Sequence, residues 1–407
     1  MRRVAVTGMA GITSLGGDWR AIHDNMRRGS TGIRYIEDWD RLVDLNTRLA
    51  GPADWFDPSS MYPRKKMRSM GRVAAMAVRS AELALAAAGL LDDPFLRSGR
   101  VGVSCGSSYG STEPTHDFVN FIKTGKTAGL TATSYIRMMS HTTAVNIVVF
   151  FGLTGRVVTT SSACTSGSQG IGYAFEAVRH GHADAMLAGG AEELCPSMAA
   201  VFDTLYATSV RNDAPERASR PFDRDRDGLV IGEGAAMLVL EEFERARARG
   251  ADILAEIVGF ATNADGAHIT EPKPETQAAV MGGALDSAGL TPDAIDFISA
   301  HGAATEIGDI VESRATAAVF GNRVPFHSLK GHFGHTLGAC GAIEAWLAIE
   351  MMREGWFAPT ANLINVDPRC AELDYLNGEG RAIDPEHVVS NNFAFGGINT
   401  SLVLKRV

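Results

Sequence analysis

Cys164 lies in TTSSACTSGSQG, residues 159–170, a single thiol among small hydroxylated and glycine residues. The run GRVVTT before it reads as a strand, and GSQGIGYAFEAVRHG after it carries apolar residues at helical spacing. Cys164 is therefore expected at or just before a helix amino terminus. Unpaired backbone N–H groups and the positive end of the helix dipole favour a thiolate there, so a lowered thiol pKa is expected. Such a sulfur is a nucleophile, and it needs a proton manager and an oxyanion site. A free cysteine on its own is more often a plain buried residue. Two histidine motifs reverse that preference: His301 in ISAHGAATEIGD, just past a strand, and His335 in SLKGHFGHTLGACGAIE. Lys330 and His332 precede His335, and a helix carrying Glu344 follows it. A glycine-rich piece, NNFAFGGIN from Asn391 to Asn399, can bring backbone N–H groups close to a substrate or form an ordinary turn before the last strand.

The elements that must position these residues alternate between strand and helix. RRVAVTG, RVGVSCGS, RVVTTSS, ADAMLAGGAE, AAMLVLEE, AEIVGFATN, AIDFISAHG, VPFHSLKG and TSLVLKR read as strands, each apolar and stopped by a polar or glycine residue. GRVAAMAVRSAELALAAAGL, GSQGIGYAFEAVRHG and ETQAAVMGGALDSAGL read as helices. This alternation predicts an α/β fold with largely parallel sheets. A chain of 407 residues with 44 glycines and 45% hydrophobic content can bury more than one domain's core. The weakest boundary falls at the charged EEFERARARGAD, so halves 1–250 and 251–407 are expected, the first with the cysteine and the second with both histidines. No clear sequence repeat relates them.

Composition excludes other classes. A net charge of −9 argues against a general nucleic-acid binder. The cysteines at 105, 164, 195, 340 and 370 show no CxxC pairing or metal-ligand rhythm, which points to a reducing cytosol and a cytoplasmic protein. MRRVAVTGMAGITSLG reads as a first strand and turn instead of a signal peptide, and no apolar run is long enough to insert into a membrane. MYPRKKMRSMGR holds five basic residues and no acid, either a solvated helix face or a docking patch for an acidic partner.

SSACTSG, AHGAATEIGD, LKGHFGHTLGACGAIE and NNFAFGGIN resemble, in order, the Cys, His, Lys-His and glycine-rich loop motifs of the elongating β-ketoacyl-acyl-carrier-protein synthases, type I/II. The resemblance extends over nearly the whole chain. It implies the thiolase fold, two similar α/β halves in a five-layered αβαβα arrangement, as a homodimer or as a heterodimer with a ketosynthase-like subunit. It implies that Cys164 accepts an acyl group from an acyl carrier protein, and that His301 and His335 stabilise the enolate of decarboxylating malonyl carrier protein. Lys330, Glu344 and Asp309 are implied to support the histidines and the site. The backbone N–H groups of Cys164 and Phe395 would form the oxyanion hole, with Phe395 on a gating loop. Thr305 would contact the pantetheine arm, Tyr109 and Phe202 would lie at the acyl pocket, and Lys65 and Arg68 would dock the acidic carrier. No cofactor is required, phosphopantetheine arriving on the carrier; a structural Na or K ion near Glu344, Ser390 and Asn391 is also implied, with Ser299 where a further ligand is expected.

The sequence departs from the family pattern in places. The usual HGTxTP reads with Ala303, Thr305 and Glu306, so one arm contact is missing. The usual GFGGTN has Ala394 and Ile398, and Ala394 is expected to narrow the backbone angles open to the loop. These changes suggest a specialised synthase, for a polyene or another secondary lipid. Two alternatives remain: a non-catalytic chain-length-factor-like subunit, which lacks the nucleophile, and a thiolase acting on coenzyme A thioesters, which needs a second cysteine near its carboxyl terminus.

Overall fold

The computed structural model describes residues 1–407. Its main sheet has 11 strands. In chain order these are β1 (Val4–Ile12), β2 (Val101–Gly106), β3 (Val157–Thr160), β4 (Ala185–Glu192), β5 (Gly234–Glu242), β6 (Ala255–Ala264), β7 (Phe297–Ser299), β8 (Pro325–His327), β9 (Asp374–Tyr375), β10 (His387–Ala394) and β11 (Ile398–Lys405). They lie in the order β9-β8-β7-β10-β11-β6-β1-β5-β4-β2-β3. Strands such as VAVTGMAGI and AMLAGGAE are buried along their whole length, as strands covered on both faces must be.

The sheet is two copies of one pattern. In the first, β2 runs parallel to β3 and β4, β4 pairs antiparallel with β5, and β5 with β1. In the second, β7 runs parallel to β8 and β10, β10 pairs antiparallel with β11, and β11 with β6. The copies join through β1 and β6 over Val4↔Ile257, Ala5↔Glu256 and Val6↔Ala255 alone. Duplication that the residue types do not reveal is thus plain in the strand order.

The principal helices are α1 (Arg72–Ala87), α2 (Ser166–Arg179), α3 (Pro274–Ala288), α4 (Glu306–Phe320) and α5 (Cys340–Glu354). α1 covers the outer face of the first half-sheet, and α3 covers the outer face of the second with α4 against it. Between the half-sheets α2 and α5 pack on each other, α2 reaching β4 and β11, α5 reaching β5 and β10. The order through the molecule is helix, half-sheet, helix pair, half-sheet, helix: a thiolase-like fold.

A reciprocal pair of glycines sets how closely the two central helices approach. A Cβ on Gly167 of α2 would lie 2.9 Å from the backbone nitrogen of Ala342, and one on Gly341 of α5 would lie 2.9 Å from that of Ser168. Only glycine permits this contact, and it draws together the two turns from which α2 and α5 start.

Two readings of the sequence need correction. Residues 387–394 are a buried strand in the middle of the second half-sheet, where the sequence suggested a loop or turn over Asn391–Ala394. Ser390, Asn391 and Asn392 interrupt the apolar run; Asn392 donates to Glu344 on α5 and Asn391 to the Met281 sulfur on α3. Helices at Thr115–Thr124, Ala132–Met138 and Thr142–Phe151 fill a stretch in which the sequence showed no element.

Candidate active site

β3 ends at Thr160, and the chain turns through Ala163–Thr165 into α2. Ala163 sits at φ 50°, a left-handed conformation that costs an L-residue roughly 1–2 kcal/mol. The neighbouring hydroxyls hold the turn in place. The Thr165 hydroxyl donates to the Ser162 carbonyl at 2.8 Å and the Ser166 hydroxyl to the Ala163 carbonyl at 2.7 Å, while the Ser162 N–H donates to the Ser166 oxygen at 2.9 Å. The small polar residues around Cys164 therefore staple a strained turn that presents its sulfur to a cavity.

His335 Nε2 lies 3.0 Å from Cys164 Sγ. The Leu337 N–H donates to His335 Nδ1 at 3.2 Å, so Nδ1 is the acceptor and Nε2 carries the proton. The backbone that carries the ring is anchored, the His335 main-chain N–H donating to the Val230 carbonyl and its carbonyl accepting from the Gly232 N–H. His301 stands edge-on to His335 with centroids 5.1 Å apart, and the ligand atoms of Cys164, His301 and His335 all lie within 4.8 Å of one another. Glu312 fixes the His301 turn by accepting from the N–H groups of His301 at 2.7 Å and Gly302 at 2.6 Å. Burial, then the Lys330 charge, holds both imidazoles well below their usual pKa, His301 being lowered further by His335. Two neutral histidines thus face one thiol.

Lys330 is fully buried, donates to the His301 carbonyl at 2.6 Å and pairs with Glu344. Desolvation opposes its charge, but the charge and hydrogen bond of Glu344 outweigh it, and the ammonium is held above its ordinary pKa. The other Glu344 oxygen accepts from Asn392 at 2.6 Å. Asp309 is buried beside Arg226, accepts from the Phe222 N–H at 2.7 Å and braces the backbone of Ala303 and Ala304; burial raises it to about 6.

The thiol overturns the expectation of a low pKa. Burial pushes Cys164 up to about 11, against the opposing pull of Lys330 and of the N–H groups of Phe395 and Cys164 itself. A rise from 9 to about 11 corresponds to roughly 3 kcal/mol, more than the roughly 0.3–2 kcal/mol a helix terminus supplies. The two N–H groups directed at the sulfur are the pair named for the oxyanion hole.

A cavity of about 390 Å³ joins Cys164, His301 and His335 to Phe202, Thr305 and Phe395. Phe202 and Phe395 meet edge to face at 5.1 Å. Ala394 ends β10 in register with Ile398, so it is extended backbone that alanine adopts freely; the positive angles fall on Gly396 and Gly397. Glu306, where proline is usual, opens α4 and ties to Arg369 at 2.6 Å. Three named positions lie away from this cavity. Tyr109 is 39% exposed and shares its hydroxyl with Thr115, and Lys65 and Arg68 are exposed at a short helix, Arg64–Met67. Glu312, Asn392 and Gln277 went unremarked in the sequence, since a lone Glu, Asn or Gln in a helix or strand carries no signal of its own.

The side chains of Glu344, Ser390 and Asn391 do not fit together as a cation's ligands. Both Glu344 oxygens are taken by Lys330 and Asn392. Successive strand residues face opposite sides, and Asn391 directs its amide to the Met281 sulfur on α3, away from α5. Ser299 and Ser390, opposite each other on β7 and β10, keep unpartnered hydroxyls, which alone do not make a site.

Comparison with known proteins places the chain. Residues 1–246 match the model of the beta-ketoacyl synthase N-terminal domain, and residues 254–364 that of the C-terminal domain. A 3-oxoacyl-[acyl-carrier-protein] synthase 2 from Synechocystis is 38% identical, covering 100% of this chain and 98% of its own, and one from Coxiella burnetii is 35% identical, covering 100% and 99%. A beta-ketoacyl synthase structure from Burkholderia phymatum superposes with TM-score 0.98 at 57% identity over 100% of both chains. The ishigamide ketosynthase/chain length factor superposes with TM-score 0.91 at 31% identity, covering 100% and 99%. The chain belongs to the beta-ketoacyl synthase family.

Proposed function

We propose that Cys164 carries the acyl group in a decarboxylative Claisen condensation, with His301 and His335 acting on the malonyl unit. The reaction class is that of the β-ketoacyl-acyl-carrier-protein synthases, which makes the chain an acyltransferase. Cys164 Sγ attacks the acyl thioester carbonyl; the oxyanion meets the N–H groups of Cys164 and Phe395, and the carrier thiol leaves with the thiol proton. Malonyl thioester then enters. Its carbonyl oxygen accepts from the two imidazoles, the bond to its carboxylate breaks, carbon dioxide departs, and the remaining electron pair forms a C–C bond to the acyl carbonyl. The C–S bond breaks and returns the thiolate. The observation that carries this reading is the Leu337 N–H donating to His335 Nδ1: it leaves the proton on Nε2, 3.0 Å from the sulfur, so His335 is read as a hydrogen-bond donor for a developing enolate and not a base. Lys330 and Glu344 position both rings through the His301 carbonyl and α5. No cofactor enters these steps.

Two alternatives lose ground. A chain-length-factor-like subunit would lack the thiol that Cys164 provides. A thiolase needs a second thiol in the cavity; Cys340 instead donates to the Cys164 carbonyl at 3.1 Å and is not among the cavity's lining residues. The departures at Ala303 and Ile398 support a specialised pathway. A solved relative that shows a type II acyl-carrier protein in complex with its ketosynthase supports the carrier as partner, and the exposed basic Lys65 and Arg68 are the proposed dock for this acidic protein. A homodimer or ketosynthase-like heterodimer, two halves divided near residue 250, Tyr109 at the pocket of the assembled pair and a cytoplasmic location complete the reading. No helix is long and apolar enough to cross a membrane.

The test is mass spectrometry of the protein after incubation with a panel of acyl carrier proteins. An acyl mass on the Cys164 peptide is expected, together with a raised KM for the carrier in Lys65→Glu with Arg68→Glu. Acylation elsewhere, or none, overturns the nucleophile; an unchanged KM moves the dock.

A further inference from the structure

Gln277 lines the same cavity as Cys164 and Thr305, is 1% exposed, and its Oε1 has no hydrogen-bond donor in the protein. Its nearer polar neighbours are paired: the Asn399 amide donates to Asp265 at 2.7 Å, Asp265 also takes the Thr276 hydroxyl, and Thr270 bonds to His268. His301 Nδ1, Asp227 Oδ1 and Asp309 Oδ1 elsewhere in the lining also lack hydrogen-bond partners, and Gln277 is the one amide among these unsatisfied groups. Such a group is costly to keep unless something that enters the cavity satisfies it.

The chemistry of Oε1 selects what that is. It needs an N–H or O–H donor. A saturated acyl chain offers none, nor does a thioester, and a malonyl carboxylate can only accept, which leaves Oε1 still without a donor. The pantetheine arm that delivers every substrate carries secondary amides, each with an N–H that Oε1 can accept and a carbonyl to which the Gln277 Nε2 can donate. At the same time Ala303 faces this cavity where the family pattern has an arm-binding threonine. We propose that Gln277 is a binding residue for an amide of the pantetheine arm, replacing the contact that Ala303 gave up. This rests on the reading of Cys164 as acyl acceptor.

The test compares acylation of Cys164 in wild type and Gln277→Met, a swap of similar shape that removes the amide. Two thioesters of one saturated acyl group are used, on pantetheine and on an alkanethiol lacking amides. Expected is a roughly three- to tenfold fall in kcat/KM with pantetheine, carried by KM, and no change with the alkanethiol. Gln277→Asn, which draws the amide back by one carbon, should show the same selective loss and serves if the Met variant folds poorly. Equal losses on both thioesters, or no loss on pantetheine, overturn the proposal. So does a loss that follows a hydroxyl placed on the acyl chain with the arm held constant. Failure of the wild type to be acylated by either thioester would overturn the parent reading and this one with it, and shows before any substitution is made.

Discussion

The turn Ala163–Thr165 before α2 and the turn Leu337–Ala339 before α5 match residue for residue. Each opens on a non-glycine residue at positive φ, 50° at Ala163 and 44° at Leu337, and each helix that follows has glycine at its second position. The middle residues differ. Cys164 turns its sulfur to the cavity, whereas a Cβ on Gly338 would lie 2.6 Å from the backbone nitrogen of Ser108 and 2.7 Å from Glu192 Oε2. The Gly338 N–H is spent on Glu192, which also collects the Ser108 N–H and the Ser107 hydroxyl. The repeat thus offers two sites for a nucleophile, and packing closes one of them. The cysteine lies in the half whose turn faces open space, and in the proposed reaction the other half supplies the hydrogen-bond donors.

The largest effect should come from exchanging the two middle residues. Cys164→Ala should cut condensation by on the order of 10⁴-fold or more, judged by product mass spectrometry. Adding Gly338→Cys to it should restore nothing and should lower the unfolding temperature, because the new side chain collides with Glu192 and Ser108. Regained turnover would break the comparison.

Next in size are the donors of the second half. His301→Ala and His335→Ala should each reduce malonyl decarboxylation by about 10²–10⁴-fold while acylation of Cys164 persists. A variant that decarboxylates at the wild-type rate has lost no donor, and that histidine would leave the mechanism.

A pH profile tests the burial that separates Cys164 from an ordinary helix-terminal thiol. With its pKa raised to about 11, Cys164 is a neutral thiol at pH 7, and only the thiolate is alkylated. The iodoacetamide rate should climb close to tenfold per pH unit from 7 past 9. A plateau reached below pH 8 would show that the helix terminus prevails over burial.

The smallest effect concerns strain. Ala163→Gly relieves a left-handed alanine and should raise stability by at most about 1–2 kcal/mol in chemical denaturation. Leu337→Gly relieves similar strain but removes a side chain packed in the cluster around Cys164, at a cost of roughly 2–5 kcal/mol, so it should destabilise. Shifts of the same sign would show that the two turns are not under the same backbone constraint.

Much of the site was legible before any coordinates. Cys164, His301, His335 and Lys330 stand out because each sits in a run of small residues between a strand and a helix, and those boundaries are local properties of the chain. β10 was not legible, because Ser390–Asn392 look like a turn until Glu344 and Met281 are placed against them. The thiol pKa was misjudged for the same reason: the helix terminus is local, but the burial that outweighs it comes from elements far away in sequence. Gln277 is the sharpest case, since a buried glutamine and a solvated one are written alike.

The contact of Gly167 with Ala342 and of Gly341 with Ser168 reaches beyond alignment. α2 and α5 lie between the half-sheets, so exposing their amides to water requires both half-sheets to part. Hydrogen exchange in the first turns of these helices should therefore approach the slowest in the molecule, governed by global opening. Cys164, at the start of α2, is then expected to keep its place until the whole chain unfolds, whereas the proposed gating segment at Phe395, next to two glycines at positive φ, is expected to move on a far shorter timescale.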